Sequence, residues 1–325
     1  MNRTIGQTQI PAMGTAITII GVEISAAALH EARTLAIALA SAWDALFNRF
    51  REDSEISRLN RSGGQPVSVS PLFLDVLEEA MTGVRMTGGR FNPAVLPALE
   101  AAGYDRNFAD LKRQAPRAAA RADGDHARGD LEDIVIDRGQ GAVCLPPGMR
   151  LDFGGIAKGL YVDRLAALLS DWPGGCVDAG GDVRVWGLPP DGAHWRVGIE
   201  DPTWPGEDLL VAEVLRTGAA GVATSGSYRR WWRLGDRIAH HLIDPATGQP
   251  LTGVVVAATV FAPSVARAEI MTKSLLVAAS RDEPLSLPGC ALAVLIASDG
   301  TWTVVAGDDV DAVALIEARE HRQPA

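Results

Sequence analysis

The chain has 325 residues, 47% of them hydrophobic, enough for one large core and too many for disorder of the whole. Its 30 Lys and Arg against 40 Asp and Glu leave a formal net charge of -10, so nonspecific attraction to nucleic acid is disfavoured and any phosphate must be held locally. Three widely spaced cysteines, Cys144, Cys176 and Cys290, give neither a disulfide framework nor zinc spacing, no run of about 18 uncharged apolar residues offers a membrane span, and the start to Met13 reads as no signal peptide, so the chain as given is expected in the cytoplasm.

Residues 15–24 alternate and are β-branched, and Ala26 to Phe50 carry apolar residues at helical spacing, which predicts a strand and then a long helix. Pro71 to Met86 predicts a second helix, with Pro in its first turn and Gly88-Gly89 just past its end. Residues 105–130, rich in Arg, Ala, Asp and Gly without apolar periodicity, read as a mobile insertion on one domain spanning 1–325. Short strands follow at 134–137, 142–145, 176–178, 182–186 and 195–199, interrupted by a helix from Ala157 to Leu169. Further strands are expected at 209–215, 220–223, 237–243 and 255–261, then a helix from Val265 to Ala279 and strands at 291–297 and 302–306. Strands and helices mixed without a βαβ rhythm predict an α+β fold.

Four segments hold candidate chemistry. In LDFGGIAKGLYVDRL, Leu151 to Leu165, a short strand ends at Asp152, Gly154 and Gly155 let a ligand approach the backbone, and a helix start adds amides and positive potential. Lys158 in that first turn supplies a cation suited to pyrophosphate, although a tight turn with a surface lysine uses the same residues. VDAGGDVRVWG, Val177 to Gly187, reads as a hairpin whose Gly-Gly turn is flanked by Asp178 and Asp182. In GVATSGSYRRWW, Gly221 to Trp232, Thr224, Ser225 and Gly226 are expected on a turn after a strand, with Tyr228, Trp231 and Trp232 either stacking on a ring or packing in the core. Downstream, Asp244 opens a strong turn, and His240 or His241 is a candidate acid/base or a hydrogen-bonded core residue. In RAEIMTKSLL, Arg267 to Leu276, Glu269, Thr272 and Lys273 share one helix face, a pattern open to magnesium ligation by carboxylate and hydroxyl or to a plain Glu-Lys surface pair.

Taken in order, the chain resembles the ApbE family of FAD:protein FMN transferases across nearly its whole length. The resemblance rests on Met13-Gly14-Thr15, FREDSEISRLN from Phe50, GRFNPAVLPALEAAGY from Gly89, LDFGGIAKGLYVD, DAGGDVRVWG, ATSGSYRRW and HLIDPATGQP. It implies an ApbE-like (T-fold-like) architecture, with FAD bound by Met13, Phe50, Ala101, Ala102, Gly103, Asp152, Gly154, Lys158, Thr224, Ser225, Gly226, His241 and Ile243. It also implies catalytic roles for His241, Asp244 and Lys158, and magnesium at Gly155, Glu269 and Thr272 or the Lys273 position. The partner implied is an acceptor protein whose Thr or Ser hydroxyl receives FMN while AMP leaves; FAD hydrolysis to FMN and AMP, or FAD binding alone, are alternatives on the same scaffold. This chain departs from the family pattern at Phe50, where Tyr is usual, and at Asn92-Pro93-Ala94, where Asp-Pro-Thr is usual. It departs again at Glu269 and Lys273, which replace an Asp with a Thr four residues on.

Overall fold

The alternation read from residue 15 forms the strand Thr15–Val22, which pairs antiparallel with a strand absent from the sequence reading, Ile5–Ala12. Gln7, Gln9 and Pro11 break the apolar pattern of that first strand, which sits at the sheet edge where Pro is tolerated. In this computed structural model, residues 3–113, 130–215 and 220–317 are described.

The hairpin opens an eight-stranded sheet that continues through Gly174–Asp178, Val183–Gly187, Ala220–Gly226, Val255–Ala262, Leu292–Ala297 and Trp302–Ala306. Every neighbouring pair in it is antiparallel. Seven helices are described: α1 Ala26–Phe47, α2 Glu55–Asn60, α3 Pro71–Thr87, α4 Leu96–Ala101, α5 Phe108–Arg113, α6 Ala157–Leu168 and α7 Val265–Ser280.

Period-two alternation gives the sheet two apolar faces. Ala223, Ala258, Val260, Ala293 and Leu295 pack against Ala268, Met271, Leu275 and Leu276 of α7. Val222, Phe261, Leu292, Val294 and Ile296 face the other way, onto a three-stranded sheet of Trp195–Glu200, Asp208–Val214 and Val313–Glu317. α1, α3 and α6 enclose the largest core, around Trp43, Phe73, Phe153 and Tyr161.

Several boundaries differ from the sequence reading for local reasons. α1 stops at Phe47 because the Asn48 side chain takes over, accepting from the Phe50 amide, so Phe50 lies in a turn and not on the helix. The strand expected over 237–243 splits into Arg237–His240 and Ile243–Asp244, breaking at His241 and Leu242. Thr224, Ser225 and Gly226 lie within the strand Ala220–Gly226, not on a turn beyond it. The insertion expected over 105–130 begins with α5; residues 114–129 lie outside the described residues.

α6 and α7 are clamped together. Asp163 of α6 accepts from the amides of Val265 and Ala266 at 3.0 and 2.9 Å, satisfying donors at the start of α7 that have no partner inside the helix. Further along, a Cβ added at Gly159 would stand 2.9 Å from the Ala266 backbone, so only glycine lets the two helices come this close.

Candidate functional site

Three stretches far apart in sequence meet at Asp152. The Asn60 side chain bridges Leu151, donating to its carbonyl at 2.8 Å and accepting from its amide at 2.7 Å. The Asp152 amide donates to the Pro93 carbonyl at 2.8 Å, while the Asn92 side chain folds its own turn by accepting from Ala94. The Asp152 carboxylate receives the Gly154 amide at 2.7 Å and an ion pair from Arg49 at 2.6 Å. Backbone and side chain are thereby fixed on the rim of a cavity of about 730 Å³.

Five cationic side chains line that cavity: Arg49, Arg90, Lys158, Arg230 and Lys273. Lys158, in the first turn of α6, is paired with Asp182, which is only 1% exposed. Lys273, in the third turn of α7, bonds Glu269 at 3.1 Å, and the other Glu269 oxygen accepts the Gly159 amide at 2.9 Å. Burial pulls the Lys158 ammonium down to about 8, with the Glu269 carboxylate opposing and the Lys273 and Arg230 charges adding to the effect. Lys273 is lowered as well, again chiefly by burial. His241 also lines the cavity; burial first, then the Arg230 and Lys273 charges, takes it to about 3, so its imidazole is neutral at neutral pH.

Aromatic and apolar side chains share the lining. Phe50, Tyr104, Phe91 and Phe153 line the cavity, and the Arg49 guanidinium lies 4.1 Å over the Phe50 ring and 4.7 Å over that of Tyr104. Met13 enters from the first hairpin turn, where it adopts φ 49 ahead of Gly14 at φ 71, a left-handed pair that side-chain-bearing residues rarely form. Ile243, Gly154 and Gly155 complete the expected residues on the lining.

Other expected residues stand elsewhere. Ala101, Ala102 and Gly103 are not on the lining; the Ala102 carbonyl accepts the Trp232 indole N–H at 2.8 Å, and Leu99 and Tyr104 face the cavity in their place. Thr224 pairs with the Thr259 hydroxyl on the sheet face away from α7. Ser225 faces α7 but bonds the Thr272 hydroxyl at 2.7 Å. Gly226 packs under the Tyr228 ring, whose hydroxyl donates to Glu200. Asp244 is paired with Arg281 and accepts the Ala246 amide; burial would raise its carboxyl, but those bonds outweigh burial and hold it below the usual range. It anchors the turn behind His241 and does not reach the cavity.

Comparison with known proteins agrees with this geometry. The model of the ApbE family matches residues 13–286. The chain belongs to the ApbE family. A protein of Haemophilus influenzae named FAD:protein FMN transferase is 30% identical over 241 residues, 72% of this chain and 68% of that protein. One of the same name from Vibrio cholerae is 31% identical over 237 residues, 70% of this chain and 67% of that one. Among solved structures, the flavin transferase ApbE from Vibrio cholerae superposes with TM-score 0.73 at 25% identity, over 95% of this chain and 99% of that one. The ApbE protein from Thermotoga maritima superposes with TM-score 0.80 over 95% and 98%; at 22% identity it speaks for the fold alone.

Where resemblance to the ApbE family implies magnesium, the donors present do not fit a divalent ion. Both Glu269 oxygens are engaged, one by the Lys273 ammonium and one by the Gly159 amide. Thr272 is wholly buried and bonds Ser225 and the Glu269 carbonyl. Beside Gly155 stands the Lys273 side chain itself, its Cε 3.2 Å from where a Cβ would be. Among the described residues no group of three or more His, Cys, Asp or Glu is placed to hold a metal.

Arg49, Arg90 and Arg230 are cationic lining residues that sequence reasoning missed. Arg49 directly precedes the Phe50 block, but nothing in one sequence says that its guanidinium turns inward. Arg229 and Arg230 are adjacent, and only the fold sends the first to Glu200 and the second to the cavity.

Proposed function

We propose that the protein is an FAD:protein FMN transferase, a phosphoryl-transfer enzyme that moves FMN from FAD onto a Thr or Ser hydroxyl of an acceptor protein and releases AMP. The observation that carries this reading is the convergence of five cations, a neutral imidazole and the rings of Phe50, Phe91, Tyr104 and Phe153 on one cavity. The cavity volume falls in the upper part of the usual range for small-molecule sites. Such a site suits a ligand with a flat ring at one end and two phosphate charges in the middle.

On this reading Lys158, Lys273 and Arg230 hold the pyrophosphate, while Phe50, Tyr104 and Met13 flank the flavin. The acceptor oxygen forms a bond to the phosphorus that bears FMN, and the bond from that phosphorus to the AMP phosphate breaks. Fixed positive charge and alignment supply the catalysis, since phosphoryl transfer asks little covalent chemistry of the protein. His241, held neutral by burial first and by the Arg230 and Lys273 charges second, takes the hydroxyl proton as the pyrophosphate's negative charge restores its basicity. Asp244 acts through position, by holding the turn behind His241.

Incubation with FAD and a Thr-containing acceptor domain, followed by mass measurement, tests the proposal. An acceptor heavier by one esterified FMN, with AMP formed in equal amount, is expected. AMP with free FMN and an unmodified acceptor would replace the transferase with an FAD hydrolase, and no flavin interaction at all would remove the reading.

A further inference from the structure

Resting on the flavin-transfer reading, the disagreement between the ApbE metal pattern and the residues present leads to one further step. We propose that the Lys273 ammonium is itself the cation that neutralises the FAD pyrophosphate, so that this chain binds and cleaves FAD without a divalent ion held by the protein.

The geometry shows a lysine built in, not a lysine tolerated. Lys273 extends from α7 to the cavity, where Glu269 one turn earlier holds its ammonium at 3.1 Å. Glu269 is steadied in turn by the Gly159 amide, so the anchor is fixed by a second helix. The lysine stem lies against Gly155 and Phe91 bounds the same space, so a side chain at position 155 would press tightly on both. A divalent ion at this point would sit beside a fixed ammonium and compete for a carboxylate already in use, and like charges so close repel strongly in a partly buried site. Of the three ammonium hydrogens, one can stay on Glu269 while the other two bridge phosphate oxygens.

Charge balance supports the same conclusion. Lys158, Lys273 and Arg49 each face a carboxylate, Asp182, Glu269 and Asp152. Arg90 likewise faces Glu283 and Asp44 faces Arg51, so Arg230, which makes no ion pair among the described residues, leaves the lining with a positive charge to spare. Two phosphate charges therefore enter a site that already presents net positive charge. In the transfer step the lysine stays protonated throughout: the acceptor O–P bond forms, the P–O bond to AMP breaks, and the hydroxyl proton leaves by His241.

The test is FAD affinity, read by flavin fluorescence in EDTA and across a magnesium titration, for the wild-type protein, Lys273→Thr and Lys273→Met, with riboflavin as the ligand that lacks phosphate. Wild-type affinity should agree between EDTA and magnesium within about threefold, a difference well under one decade. Lys273→Thr should bind FAD about tenfold to a hundredfold more weakly in EDTA and recover with magnesium, whereas Lys273→Met should be weak in both and riboflavin should hardly change. Manganese, followed by its spin-resonance signal, should bind Lys273→Thr with FAD and not the wild type. Wild-type protein that loses FAD on chelation and regains it with magnesium would overturn the proposal and leave the transferase reading intact. That comparison needs no variant, so a misfolded substitution cannot obscure it. Failure to bind FAD under either condition would overturn both.

Discussion

The substitution Lys158→Met separates what the site does for binding from what it does for folding. In the structure Lys158 is the ion-pair partner of Asp182, a carboxylate with 1% exposure. Removing the ammonium leaves that carboxylate buried and unpaired, which costs about 3–5 kcal/mol, or a fall in Tm of roughly 5–10 °C for a chain of this length. Adding Asp182→Asn removes the stranded charge and should recover most of that stability. FAD affinity should behave differently: the lost charged hydrogen bond to phosphate is worth about 1.5–3 kcal/mol, a tenfold to hundredfold weakening that persists in the double variant. Calorimetric melting and titration with FAD and riboflavin, run on all three proteins, give the two readouts. Equal losses of FAD and riboflavin, or full recovery of FAD binding in the double variant, would refute the assignment of Lys158 to the phosphates.

Two further outcomes follow from the same helices. Because the free Lys158 pKa lies near 8, below its unfolded value, the folded protein loses this proton first; FAD affinity should be flat below that pH and fall by up to about tenfold per unit above it. A pH series of FAD titration, with riboflavin as the control, checks this. Gly159→Ala would place a Cβ 2.9 Å from the Ala266 backbone and 3.0 Å from Glu269, so overpacking should cost about 1–3 kcal/mol and weaken FAD binding together with stability; a variant with unchanged melting would show that the α6–α7 contact is looser than described.

The fold class and most of the helices were legible because their signals are local. Pro71 at a helix start, Gly88 at its end and the β-branched run from Thr15 each act through the backbone near them. The turn into α6 was legible for the same reason: Gly154 and Gly155 stand directly before the helix start in the sequence. What escaped was decided by distant partners. Thr224, Ser225 and Thr272 look like ligands in sequence, yet strand pairing sets Thr224 against Thr259 and the packing of α7 on the sheet sets Ser225 against Thr272. Asp244 looked catalytic until Arg281, thirty-seven positions later, claimed its carboxylate. The first strand was missed because Gln and Pro at a sheet edge leave no apolar alternation to read.

The clamp between α6 and α7 bears on where the energy for recognition comes from. Lys158 and Lys273 ride on two helices joined by Asp163 at the start of α7 and by Glu269 and Gly159 midway, so the spacing of their charges is set when the chain folds. The work of holding like charges near one another is done by the surrounding hydrophobic core and not by the incoming nucleotide. Ligand affinity is in that sense borrowed from conformational stability, and a cavity opened under α6, at Leu165 for example, would register first as a weaker grip on phosphate.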